Sequence, residues 1–131
     1  MPTTILLVED DRVMRDLTRL AVMRAVPHAE ILVAADGAAA LAAVREHRPD
    51  LVLMDILLPR RSGLEVLREM QTLYSAVPVI VISALGMRDV VQQAIRAGAR
   101  DFVLKPFDPR LLSDKVQRAL TQWQGAYEPV V

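Results

Sequence analysis

Residues 51–55 read Leu-Val-Leu-Met-Asp, an apolar run without polar alternation that ends in a carboxylate. An alternating strand has one wet face. An unbroken run of Leu and β-branched residues is the pattern of a parallel strand covered on both faces. Four more runs of this kind occur, at residues 5–8, 31–34, 79–82 and 102–104. Each is short and each is followed by polar residues.

The segments between them carry helical periodicity. Val13, Leu17, Leu20 and Ala21 fall at i, i+4, i+7 and i+8, which predicts a first helix packed on the core through those four. Leu41 and Val44 share a face of an Ala-rich segment beginning at Ala38. Val66, Leu67, Met70 and Leu73 form a third stripe, Val91, Ala94 and Ile95 a fourth, and Leu112, Val116, Ala119 and Leu120 a fifth. The punctuation agrees. Ser62 and Glu65 have capping-box spacing. Asp108-Pro109 is an N-cap with proline at the first helical position, and Gly98 falls where the fourth helix has to stop. Pro49 closes the second helix, and Pro78 can enter the fourth strand but not sit inside it. Five βα units with short connections predict an α/β fold, a doubly wound five-stranded parallel sheet flanked by five helices. One domain is expected over residues 1–121. Residues 122–131 lose periodicity and are expected to form a loosely held tail.

Composition narrows the function. The chain has 131 residues, 53% of them hydrophobic and 24% charged, which excludes a disordered chain. With no cysteine there is no disulfide framework and no thiolate metal site. Sixteen basic residues balance 16 acidic ones, so the basic excess of a duplex-binding protein is missing and direct nucleic-acid binding is not expected. The run after Met1 lacks a basic leader and meets acids at Glu9, unlike a signal peptide. The longest apolar run is far too short for a bilayer, so the expectation is a cytoplasmic protein with no membrane association. Fourteen of the basic residues are Arg and only two, Lys105 and Lys115, are Lys. In such a chain a lysine invites a question.

The polar residues after the strands supply a candidate site. Glu9, Asp10 and Asp11 follow the first strand, Asp55 the third, Ser83 the fourth and Lys105 the fifth. In an open parallel sheet these positions share the carboxyl edge, where ligands bind at the reversal of strand order. With strand order 2-1-3-4-5, the first and third strands are neighbours, and Asp10 is expected to meet Asp55. Two such charges about 4 Å apart repel by roughly 4 kcal/mol at a surface-like dielectric. The cluster therefore calls for a cation or a raised pKa. An all-oxygen set suits Mg2+. A lysine facing the metal could hold a phosphate oxygen, and a serine hydroxyl could donate to another. Such an assembly around one carboxylate is a phosphoryl-acceptor site. Taken singly, each residue has a plainer explanation. Asp11 is read as a helix N-cap, Asp55 alone could be a turn residue, Ser83 alone a loop residue, and Lys105 alone a solvated charge. The specificity lies in their convergence. Asp36 with Gly37 is read as turn and cap, and His28 and His47 as surface residues.

The segments ILLVEDDRVMR (5–15), PDLVLMDILLPRRSGLEVL (49–67), VPVIVISAL (77–85) and GARDFVLKPF (98–107) resemble, in order, the motifs of response-regulator receiver domains of two-component systems. The resemblance runs from Ile5 to about Leu120 and implies the flavodoxin-like, chemotaxis-regulator fold. It implies that Asp55 accepts a phosphoryl group from a sensor histidine kinase or a histidine phosphotransfer protein. Mg2+, or Mn2+ in its place, would be held by Asp10 and Asp55 directly, by Glu9 partly through water, and by the Leu57 carbonyl. Ser83 matches the switch hydroxyl, Phe102 the switch aromatic and Lys105 the family's lysine, with a cis bond to Pro106. Such a domain catalyses only its own phosphorylation and dephosphorylation. Phosphorylation would change the face formed by the fourth helix, fifth strand and fifth helix. There Val91, Ile95 and Phe102 offer apolar contacts and Arg88, Asp101 and Arg110 a polar rim. Leu57 and Leu85 flank the acceptor and cannot position water, so a long-lived phosphorylated state is expected.

Two other functions fit the same parts. A haloacid-dehalogenase-type phosphatase also uses Asp, Mg2+ and Lys, but needs an acid where Leu57 stands. An unphosphorylated scaffold of the same fold would not require the full acceptor set. A flavin-binding domain would want a Ser-, Thr- and Gly-rich loop after the first strand, and this loop is acidic. The sequence leaves open the cognate kinase, the downstream target or output domain, and whether the chain forms a homodimer.

Overall fold

The computed structural model describes residues 2–123. Strands β1 (Thr4–Val8), β2 (Glu30–Ala34), β3 (Leu51–Met54), β4 (Val79–Ser83) and β5 (Asp101–Leu104) alternate with helices α1 (Arg12–Ala25), α2 (Gly37–His47), α3 (Gly63–Leu73), α4 (Arg88–Arg96) and α5 (Pro109–Arg118). The strands form one parallel sheet in the order β2-β1-β3-β4-β5, as the sequence predicts.

Successive side chains of a strand point to opposite faces, so each strand feeds two cores. Leu6, Val8, Val52, Met54, Val79 and Val81 meet Val44, Val66, Leu67, Met70 and Ala94 of α2, α3 and α4. Ile5, Leu7, Leu51, Leu53, Ile80 and Ile82 meet Ala21, Val22, Leu112 and Val116 of α1 and α5. Full coverage holds for β3 and β4, and for β1 from Ile5 onward. The marginal strands β2 and β5 are partly exposed because each has a neighbour on one side only.

The caps hold the helices at fixed depth beside the sheet. Asp11 accepts from the Val13 and Met14 amides, Asp36 from Ala39, Ser62 from Leu64 and Asp108 from Arg110. Gly63 opens α3 against the loop from β3. A Cβ there would lie 2.5 Å from the Ile56 Cα, and the Gly63 amide donates to the Ile56 carbonyl at 2.8 Å. Gly98 follows α4 with a φ of 117°, which side-chain-bearing residues rarely adopt.

Helix α1 departs from the expected orientation. Val13 and Leu20 are 67% and 63% exposed, and Leu17 is exposed as well. The buried face is Thr18, Ala21, Val22 and Ala25. Two apolar arcs lie side by side on this helix. The one with small side chains faces inward because α1 packs against both the sheet and α5. Thr18 is accommodated there by donating its hydroxyl to the Met14 carbonyl at 2.8 Å. Leu73, expected in the α3 core stripe, is likewise exposed in the last turn, and so is Ile95 of α4. At the other end of the chain, helical backbone continues past α5 as a π-helical turn, Ala119–Trp123, which includes two residues of the expected tail. The remainder of that tail lies outside the described residues.

Leu112→Ala on the inward face of α5 should therefore cost about 2–5 kcal/mol of stability. Leu20→Ser on the outward arc of α1 should change it by about 0.5 kcal/mol or less. Urea unfolding of the two variants measures the contrast, and equal losses would place Leu20 in the core.

Candidate functional site

Register places the polar residues. Val8 pairs with Met54, so the next residues along, Glu9 and Asp55, leave the sheet side by side. The Asp55 amide donates to the Val8 carbonyl at 3.0 Å and the Glu9 amide to that of Ala34 at 3.0 Å, which fixes both backbones. Ser83 ends β4 opposite Leu104, and the Lys105 amide donates to the Ser83 carbonyl at 2.9 Å. The Lys105–Pro106 bond is cis.

Glu9, Asp55 and Ser83 are buried. Lys105 reaches over the end of β4 and donates to Asp55 Oδ2 at 2.6 Å and to Glu9 Oε1. The expected arrangement is thus altered in one respect. The residue that meets Asp55 through a shared partner is Glu9, while Asp10 is exposed. The cation between the buried acids is the Lys105 ammonium, not only a group facing a metal. Burial pushes the Glu9 carboxyl up, against the lowering influence of Lys105. Burial also opposes the Lys105 charge, but its hydrogen bonds to Asp55 and Glu9 outweigh that and raise its pKa. One ammonium against two carboxylates leaves a negative charge in excess.

The remaining oxygens are partly committed. Asp55 Oδ1 accepts from the Leu57 amide at 2.9 Å, and Glu9 Oε2 from the Asp11 amide at 3.3 Å. Ser83 Oγ accepts from the Leu85 amide at 3.2 Å, so this hydroxyl now braces the loop after β4. Leu57 is 52% exposed at the mouth and Leu85 is half-buried. Phe102 is half-buried against the core beneath α4.

A hard divalent cation fits the chemistry of this donor set, which offers carboxylates and a carbonyl. Among the described residues no three acids or histidines already form a cage. Asp10, exposed, would supply the free carboxylate, whereas Glu9 and Asp55 share their facing oxygens with Lys105. Two neighbours of the site were not singled out in the sequence. Arg15 donates to the Glu9 carbonyl at 3.3 Å, and buried Thr18 borders a small void with Glu9 and Asp55. A polar residue at helical spacing on the inward arc of α1 was the available signal for Thr18. The second lysine, Lys115, pairs with Asp101 at 2.6 Å away from this site, and His28 and His47 are exposed, as expected.

Removing the lysine head group strands two buried anions, whereas neutralising Asp55 leaves one cation facing one anion. In Mg2+-free buffer, Lys105→Met should lose about 3 kcal/mol, and Asp55→Asn should be neutral or stabilising. Urea midpoints read both. A Lys105→Met protein as stable as its parent would mean that the ammonium does not compensate these acids.

Comparisons with known proteins agree with this geometry. The family model described as the response regulator receiver domain matches residues 5–117. The transcriptional regulatory protein CseB of Streptomyces avermitilis is 36% identical over 127 residues, covering 97% of this chain and 53% of CseB. The chemotaxis protein CheY of Bacillus subtilis is 38% identical over 87 residues, covering 66% of this chain and 72% of CheY. Among solved structures, a CheY-like receiver domain protein from Methanospirillum hungatei superposes with a TM-score of 0.88 at 26% identity, covering 96% of this chain and 99% of its own. The receiver domain of NtrX from Brucella abortus superposes with a TM-score of 0.83 at 37% identity, covering 90% and 98%. The chain spans about half the length of the Streptomyces regulator it matches. Among the described residues no helix is long and apolar enough to cross a membrane. Sheet order, edge chemistry and a family match over most of its length together make the chain a member of the response-regulator receiver domains, the phosphorylation switches of two-component systems.

Proposed function

We propose that Asp55 is the phosphoryl acceptor and that Lys105, Ser83 and the acidic pair form its machinery. The observation that carries this reading is the Lys105 ammonium held at 2.6 Å from the Asp55 carboxylate, beside buried Ser83. A carboxylate oxygen of Asp55 forms a bond to phosphorus while the donor's P–N bond breaks, and the bonding electrons stay on the imidazole nitrogen of a histidine kinase or phosphotransfer protein. Lys105 then shifts its hydrogen bonds toward the new phosphoryl oxygens, a fixed positive charge where negative charge develops. Ser83 exchanges the Leu85 amide for a phosphoryl oxygen. Mg2+, or Mn2+, held by Asp10, Asp55, the Leu57 carbonyl and Glu9 through water, would neutralise charge on the transferring group.

The switch follows from what Ser83 releases. Its hydroxyl braces the loop between β4 and α4, and half-buried Phe102 lies on the neighbouring strand, paired with Val81. A phosphoryl group adds about −1.5 to −2 charge at one spot, enough to bias a two-state element. The output face is therefore α4, β5 and α5, with Val91, Ile95 and Phe102 as apolar contacts and Arg88, Asp101 and Arg110 at the rim. Asp101 is tied there to Lys115. A phosphatase reading lacks its general acid, since Leu57 occupies that position.

Intact-mass measurement after treatment with acetyl phosphate and Mg2+ should show one added phosphoryl group. Asp55→Asn should abolish it and Lys105→Ala should slow it at least tenfold. Equal labelling of Asp55→Asn would move the acceptor elsewhere. Mg2+ alone should raise the melting temperature of the parent by mass action, and Asp10→Ala should lose most of that rise.

Hydrolysis needs a water held in line with the acyl oxygen. Leu57 and Leu85 border the approach and offer water no hydrogen bond. Leu57→Asn should speed phosphoryl loss several-fold after donor removal, more so combined with Leu85→Gln. Decay no faster than the parent's would show that these leucines do not set the lifetime.

A further inference from the structure

The seam between α2 and α3 holds a cavity of about 320 Å3, floored by Leu41 and Leu73 and bordered by Arg45 and Arg61. Through Ala38 and Arg61 it adjoins a smaller recess of about 90 Å3 beside Pro59 and Arg60. Leu73 is 63% exposed in this seam.

The charge around it is unevenly spent. Arg61 is paired with Glu69, and Glu46 lies 3.8 Å from His47. Arg60, 84% exposed, is paired with Asp36 at 3.7 Å. Arg48 lays its guanidinium over the Tyr74 ring at 4.5 Å and has no carboxylate partner among the described residues. Arg45, exposed on α2, has no ion pair among the described residues. Arg48 and Arg60 are also the two non-glycine residues with positive φ among the described residues, at 45° and 69°. At Arg48 this is the left-handed C-cap of α2, which ends the helix beside Tyr74.

We propose that the α2–α3 seam is a docking groove for an acidic amphipathic helix of a partner protein. Its apolar stripe would seat a large side chain between Leu41 and Leu73, and its carboxylates would meet Arg45 and Arg48. This is the helix-in-groove mode, with apolar anchors giving affinity and the rim giving orientation and choice of partner. The seam belongs to α2 and α3, not to the α4–β5–α5 face, and neither Asp55 nor Lys105 lines it.

The test is an amide NMR titration of the unphosphorylated full chain with two synthetic 14-residue helical peptides. They share a leucine stripe and differ in a glutamate-rich or a lysine-rich polar face. The glutamate peptide should perturb amides of α2 and α3 saturably, and weaken with salt. Arg45→Glu combined with Leu73→Ser, both at exposed positions, should weaken it at least tenfold and leave the α1 and α4 amides in place. Equal binding of the lysine peptide, perturbation confined to the exposed faces of α1 or α4, or undiminished binding by the double variant would overturn the proposal. So would a single-stranded oligonucleotide binding this seam more tightly than the glutamate peptide.

Discussion

The Lys105 ammonium between two buried carboxylates is the contact on which the rest of this molecule depends. Its partners lie 50 and 96 residues away in sequence. Only the sheet brings them together, since β5 carries the lysine, β3 and β1 carry the acids, and β4 lies between β5 and β3. At the end of β4 stands Ser83, small enough for the long lysine stem to pass over it. Charges out of water are costly unless paired. The site meets that cost with one ammonium for two carboxylates, and so keeps an anionic excess at a solvent-facing edge. That excess is what the proposed cation would neutralise.

Under the proposed function, the same contact is the route by which phosphorylation would reach a distant face. Each group in the site is already bonded to something that a phosphoryl oxygen can replace. Lys105 holds Glu9 and Asp55, Asp55 holds the Leu57 amide, and Ser83 holds the Leu85 amide. Exchanging those partners would free the loop before α4 without unfolding any strand. A close-packed core of this kind favours discrete rearrangement over gradual deformation.

Much of this was legible in the sequence because parallel strands announce themselves as apolar runs, and polar residues immediately after them must share one edge. The strand order and the convergence of Asp55, Ser83 and Lys105 on one edge follow from that rule and a resemblance. Periodicity served less well on α1. Val13, Leu17 and Leu20 have the larger side chains, but Thr18, Ala21, Val22 and Ala25 form the buried arc, because close approach to α5 selects for size before hydrophobicity. Leu73 was misread for a related reason. A stripe tells which face is apolar, not where the neighbouring helix ends. Spacing also cannot say how far a side chain reaches, so the bridge from Lys105 to Glu9, with Asp10 left exposed, emerged only in three dimensions.

Because the chain has only two lysines, its ammonium groups can be watched one by one. With lysine labelled at Nζ, Lys105→Arg assigns the two signals. Adding Mg2+ and beryllofluoride, a phosphoryl mimic, should move the Lys105 signal as its hydrogen bonds pass from the carboxylates to the mimic. Asp55→Asn should abolish that movement. A Lys105 signal indifferent to the mimic, or one that moves equally in Asp55→Asn, would contradict the account.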